Sequence, residues 1–197
     1  MAATNQQLLH ALTRAANALS RQGIRFAVAG GCAVYARGGP ASDHDVDLLV
    51  KPADSARARS ELARAGLRIA DAAEDWLIKA YDGDTLIDVI HRPNNRDVDD
   101  ALLDRAETMR VGPTVAPVVD ATDLLIDKLL VFDAHRLDLS PLLRISRDLR
   151  EQVDWPAARA QTEHSPYARA FLGLVDDLRI ADTTAPRDPE ASAGKAE

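Results

Sequence analysis

The chain has 197 residues, 46% hydrophobic and 28% charged, the composition of a globular protein and not of a disordered one. Its 31 acidic residues against 24 basic ones leave a formal charge of −7, which argues against holding nucleic acid by bulk electrostatics, so no DNA partner is expected. The single cysteine, Cys32, excludes an intrachain disulfide framework and a Cys-rich zinc site, and no apolar stretch approaches the roughly 20 residues of a membrane helix.

The N-terminus has no basic start followed by an apolar block, so no secretory signal is visible and a cytoplasmic protein is expected. Leu8, Leu12, Ala15, Ala16 and Leu19 share one helical face over residues 5–22, closed by Gly23. Residues 24–29 (IRFAVA) read as a buried strand, broken by Gly30-Gly31, with a helix over Cys32–Arg37. After the loop GGPAS, residues 45–50 (DVDLLV) form a second strand, and residues 53–66 an Ala/Arg-rich helix ended by Gly66. Residues 76–81 and 85–90 make a hairpin across Asp82-Gly83-Asp84. A short helix at 98–105 and strands at 108–111 and 114–118 follow. From Asp120 the pattern is helical only, at about 120–135, 138–152, 156–163 and 165–181. The expected organisation is an α/β domain over 1–119, a small mixed sheet with flanking helices, then a helical domain over 120–182, with the site in the cleft between them. Residues 183–197 have nothing to bury and read as a disordered tail.

Chemistry concentrates in residues 26–50. Strand alternation puts Asp45 and Asp47 on the same face, with Val46 on the other. Two like charges side by side are costly unless a cation neutralises them, and a hard divalent ion, Mg²⁺ or Mn²⁺, suits carboxylate oxygens. Asp88, inside the apolar run 86–90 (LIDVI), is a third acid in need of a partner. Three carboxylates from two strands suit a two-metal phosphoryl-transfer site. Gly30-Gly31, at the end of a strand and the start of a helix, lets backbone N–H groups approach a phosphate. Lys128 interrupts the apolar stripe of Leu124, Leu125, Leu129 and Phe132, so it either snorkels to solvent or points toward phosphate. Arg144, Arg147 and Arg150 recur at three-residue spacing, a candidate contact for an RNA backbone. Asp138 is either a helix cap or a site residue, and Asp148 either pairs with an arginine or serves the site. His44 is a ligand or a loop former, and His91 is as readily structural.

Gly30-Gly31, Asp45-Val46-Asp47 and Asp88 together resemble the signature of the nucleotidyltransferase superfamily, the polymerase-beta-like fold. The helix 121–132 (ATDLLIDKLLVF) followed by 135–139 (HRLDL) is similar to the second block of the AbiEii/MenT-type toxins of bacterial toxin–antitoxin systems. The likeness covers about residues 24–150. It departs at Asp43, where a Ser or Thr is usual, and at Ala41, where an Arg is frequent, with Ser42 available as a substitute for the first. The resemblance implies catalytic roles for Asp45, Asp47, Asp88 and Lys128, metal ligation by the three acids, and nucleotide contacts from Gly30, Gly31, Ser42, Lys128, Asp138 and Asp148. It implies Mg²⁺ or Mn²⁺ as cofactor, an NTP (a pyrimidine nucleotide among the candidates) as donor, the 3′ end of tRNA as acceptor, blocked aminoacylation as outcome and a cognate antitoxin as partner. One alternative keeps the chemistry and takes an aminoglycoside-like small molecule or a protein side chain as acceptor, and the −7 charge fits a cationic aminoglycoside better than RNA. The other is a catalytically silent binding module, against which the three intact acids speak.

Overall fold

A computed structural model describes residues 4–42 and 44–184 of the chain. The chain forms two compact units, one of Met1–Ala36 with Pro40–Asp120 and one of Arg37–Gly39 with Ala121–Glu197.

The first unit is built on a seven-stranded mixed sheet in the order β3-β4-β5-β2-β1-β7-β6. Its strands are β1 (Phe26–Ala29), β2 (Val46–Val50), β3 (Arg68–Ala70), β4 (Leu77–Asp82), β5 (Thr85–Ile90), β6 (Glu107–Val111) and β7 (Thr114–Val118). β2 pairs in parallel with β5, and β1 in parallel with β7, while the remaining pairs are antiparallel. Helix α1 (Asn5–Arg21) begins with a capping box, Thr4 Oγ1 accepting from Gln7 N–H and Gln7 Oε1 accepting from Thr4 N–H. Its buried stripe of Leu8, Ala11, Leu12, Ala15, Ala16 and Leu19 packs with α3 (Ser55–Arg64) and against β5, β2 and β7. Helix α2 (Gly30–Ala36) lies against β1, β2 and β6, and α4 (Asp100–Arg105) is capped by Asp99.

The elements differ from expectation in small, explicable ways. β1 starts at Phe26 because the Ile24 N–H bonds to Leu19 O and closes α1. β2 starts at Val46, which leaves Asp45 just ahead of it. Gly30-Gly31 form the first turn of α2 and do not precede it. β3 was not expected: its three residues are too few and too exposed to give a periodic signal, and pairing with β4 alone makes them a strand.

The second unit holds α5 (Ala121–Leu130), α6 (Ser140–Leu149), α7 (Trp155–Thr162) and α8 (Pro166–Asp177). α5 is shorter than expected, because Asp133 turns the chain by accepting from the His135 and Arg136 N–H groups. Phe132 and Phe171 pack with ring centroids 6.1 Å apart. The buried Arg37 donates to Gln152 Oε1 (3.2 Å), and Gln152 Nε2 donates back to Arg37 O (2.9 Å). Of the segment expected to be a tail, Thr183 is buried, donates its N–H to Asp176 Oδ1 (2.8 Å) and accepts from Arg159 Nε (2.9 Å). Residues 185–197 lie outside the described residues.

Candidate active site

The alternation of β5 sets the site. Thr85, Ile87 and Val89 are buried on one face, while Leu86, Asp88 and Ile90 are half-buried on the other. The parallel register of β2 and β5 sets Asp47 directly opposite Asp88, so the two carboxylates share a face. Asp45 joins them from the lead into β2. One carboxylate oxygen from each of the three lies within 4.8 Å of the others. Asp88 Oδ1 is buried and has no hydrogen-bond partner among the described residues. Burial, and then the Asp45 carboxylate, push Asp88 up to about 6, against the opposing pull of Lys79. A converging set of hard oxygen donors with one buried lone pair left unsatisfied fits a divalent cation.

Glycine is required on this side of the sheet for a steric reason. Gly30 has φ +55°, and a Cβ there would come 1.7 Å from Asp47 Oδ2. A Cβ on Gly31 would come 2.3 Å from Ser42 Oγ. The structure thus brings Gly30, Gly31, Ser42, Asp45, Asp47 and Asp88 together. Asp43 lies outside the described residues. Cys32 is buried behind this strand, its Sγ 4.0 Å from Asp45 O, and desolvation, then Asp47 and Asp45, push its thiol up to about 12. It is an inert core thiol.

The remaining sequence candidates belong to the second unit. Lys128 is half-buried on α5 and makes no ion pair or hydrogen bond among the described residues. Asp138 Oδ1 accepts from Ser140 N–H (3.0 Å) in a turn just ahead of α6, whose N-cap is Leu139. Asp148 is exposed on α6. Arg144, Arg147 and Arg150 are all exposed there, with Arg150 Nε 3.1 Å from Glu151 Oε1. His44 is exposed, and the His91 N–H donates to Trp76 O (3.0 Å).

The sequence reading missed two residues beside the triad. The hairpin register puts Lys79 of β4 opposite Asp88. Glu74, from the loop before β4, reaches Lys79, with Nζ 3.4 Å from Oε2 and 3.5 Å from Oε1. Its own backbone N–H and then Lys79 hold Glu74 below the usual carboxylate range.

Residues 1–175 match a protein-family model described as an uncharacterised nucleotidyltransferase. The chain belongs to this nucleotidyltransferase family. No curated protein matches it. Among solved structures, the nucleotidyltransferase is similar to the antibiotic-resistance factor ANT(2″)-Ia, at 14% identity and TM-score 0.59, covering 89% of this chain and 97% of that one. It is similar to the lincosamide antibiotic adenylyltransferase LnuA in its lincomycin-bound form, at 13% identity and TM-score 0.51, covering 74% of this chain and 96% of that one. It is also similar to an antigenic nucleotidyltransferase-like protein from Paracoccidioides brasiliensis, at 15% identity and TM-score 0.55, covering 90% and 91%. At such identities these likenesses show the α/β nucleotidyltransferase fold. No helix among the described residues is long and apolar enough to cross a membrane.

Proposed function

We propose that this nucleotidyltransferase moves an NMP from an NTP to an acceptor hydroxyl, with Asp45, Asp47 and Asp88 holding Mg²⁺ or Mn²⁺. The convergence of three carboxylate oxygens around a buried, unpartnered Asp88 Oδ1 carries this reading. The metal, when bound, supplies Lewis-acid charge at the triphosphate. The acceptor oxygen bonds to the α-phosphorus, the bond to the β-phosphate oxygen breaks, and pyrophosphate leaves. Asp88, one of the three metal-holding carboxylates, is the group proposed to help remove the hydroxyl proton at the metal. Gly30 and Gly31 leave the strand end open to a phosphate, and Ser42 adds a hydroxyl there. Lys128, a half-buried cation without a carboxylate partner among the described residues, is proposed as a phosphate-binding group.

For the acceptor we favour a small molecule. This chain spans nearly the whole length of two structural neighbours named for antibiotic resistance and for a lincosamide antibiotic, and its net charge is −7. A second reading, a toxin of the AbiEii/MenT type that modifies tRNA 3′ ends and is restrained by an antitoxin, draws on Arg144 and Arg147, which are exposed and without ion pairs among the described residues. Against it, Asp148 and Glu151 interleave with the arginines, and Glu151 pairs with Arg150.

Each of the four α-labelled NTPs, offered with Mg²⁺ to tobramycin, lincomycin and purified tRNA, tests both readings. Label on a small molecule supports the first. Label on tRNA that is lost in the triple Arg144→Glu, Arg147→Glu, Arg150→Glu variant supports the second. Absence of label on every acceptor, with each NTP, contradicts the transferase reading. In the active pair, Lys128→Ala should lower kcat/KM by about 2–4 kcal/mol equivalent and stability by less than about 1 kcal/mol.

A further inference from the structure

The row of residues through the triad continues past Asp88. Register aligns Asp47 on β2, Asp88 on β5, Lys79 on β4 and Ala70 on β3, so all four point to the same face of the sheet. Lys79 is thus the cross-strand neighbour of Asp88, and an ammonium on a four-carbon stem has the reach to bond it. It does not: among the described residues both contacts of Lys79 go to Glu74, and Asp88 Oδ1 stays buried without a partner. The Lys79 side chain is 29% exposed, so most of it is held within the fold.

We propose that Glu74 is a latch that holds Lys79 off Asp88 and so keeps the third carboxylate open for the metal. Glu74 and Lys79 are positioning residues, acting through Asp88, and the proposal rests on the metal-dependent reading above. Two cations, the ammonium and the metal, compete for one carboxylate. The latch settles the competition by giving the ammonium a carboxylate of its own. Without Glu74, Lys79 is left half-buried and unpaired beside an equally unpaired carboxylate, and the cheapest relief for both is to pair with each other. That pairing closes the triad.

The latch makes opposite demands on two substitutions. Glu74→Gln should weaken Mn²⁺ binding about tenfold, because Lys79 then occupies Asp88. Lys79→Met should tighten it by no more than a few-fold, through lost repulsion alone, because the latched ammonium already lies off Asp88. In the Lys79→Met background, Glu74→Gln should change affinity less than about twofold, since nothing remains to be latched. Direct titration of the full chain with Mn²⁺ alone, read by the electron paramagnetic resonance of the free ion, measures all four species without any turnover. An equal Glu74→Gln penalty with and without Lys79 would mean simple charge loss near the metal and overturn the latch. A tenfold or greater tightening in Lys79→Met would mean that Lys79 already occupies Asp88 in the wild type and also overturns the latch, and this variant decides the matter if Glu74→Gln does not fold. Asp88→Asn is run beside them. If it leaves Mn²⁺ affinity unchanged, or the wild type takes up no Mn²⁺, the metal reading itself fails and the latch falls with it.

Discussion

One strand, β5, carries two chemistries on its two faces. Ile87 and Val89 are fully buried, on the face where α1 packs. Asp88, between them, faces the other way with an unsatisfied oxygen. The same contrast separates two acids of one hairpin. Asp82 is bonded to Arg14, with His10 Nε2 3.9 Å away, and is fully accounted for within the fold. Asp88 has no such bonded partner among the described residues, and its burial with only the nearby Lys79 charge to offset it costs stability. Packing on one face offsets a deliberate deficit on the other, so substitutions on the two faces should move stability and metal affinity independently.

The largest effect expected on that contrast is Ile87→Ala. Deleting a fully buried branched side chain should cost about 2–5 kcal/mol in denaturant titrations, while Mn²⁺ affinity of the remaining folded protein stays near wild type. A matching loss of metal affinity would mean that the faces are not separable. Gly30→Ala comes next. Its Cβ would collide with Asp47 Oδ2 and sit at a positive φ, so about 1–2 kcal/mol of strain should come with at least a tenfold loss of Mn²⁺ affinity. Gly83→Ala is its control: φ is +58° there too, but nothing lies within 4 Å of the added carbon, so it should lose stability and keep the metal.

The smallest effect has the opposite sign. Because Asp88 is pushed up to about 6, the folded chain keeps a proton that the unfolded chain releases near pH 4. The unfolded state then binds fewer protons than the folded one, so metal-free stability should fall as pH rises from about 4 to 6 and level off above. Asp88→Asn should flatten that slope. It should raise metal-free stability at pH 7 by on the order of 1 kcal/mol, after discounting for a half-exposed group. A lower melting temperature for Asp88→Asn would show that Asp88 has a structural partner.

The site was legible where it follows from strand periodicity. Asp45 and Asp47 are two residues apart in an apolar strand, and Asp88 is a charge inside LIDVI. Gly30-Gly31 was legible as a required pair, but its steric partners, Asp47 and Ser42, come from across the sheet and a following loop, and no local pattern encodes them. Lys79 could have been found. A two-residue turn at Gly83-Asp84 fixes the hairpin register, and counting back from it puts Lys79 opposite Asp88. Glu74 could not, because its reach to Lys79 depends on the path of a loop. β3 escaped for a related reason: it is a strand only by virtue of its neighbour.

The central claim is that Asp45, Asp47 and Asp88 hold the metal for nucleotidyl transfer. Crystals grown with Mn²⁺ and a non-hydrolysable NTP analogue, measured at the manganese absorption edge, test it most directly. An anomalous peak within about 2.0–2.4 Å of oxygens from these three side chains is the result expected. Manganese bound elsewhere, with the three carboxylates left to water, would contradict it.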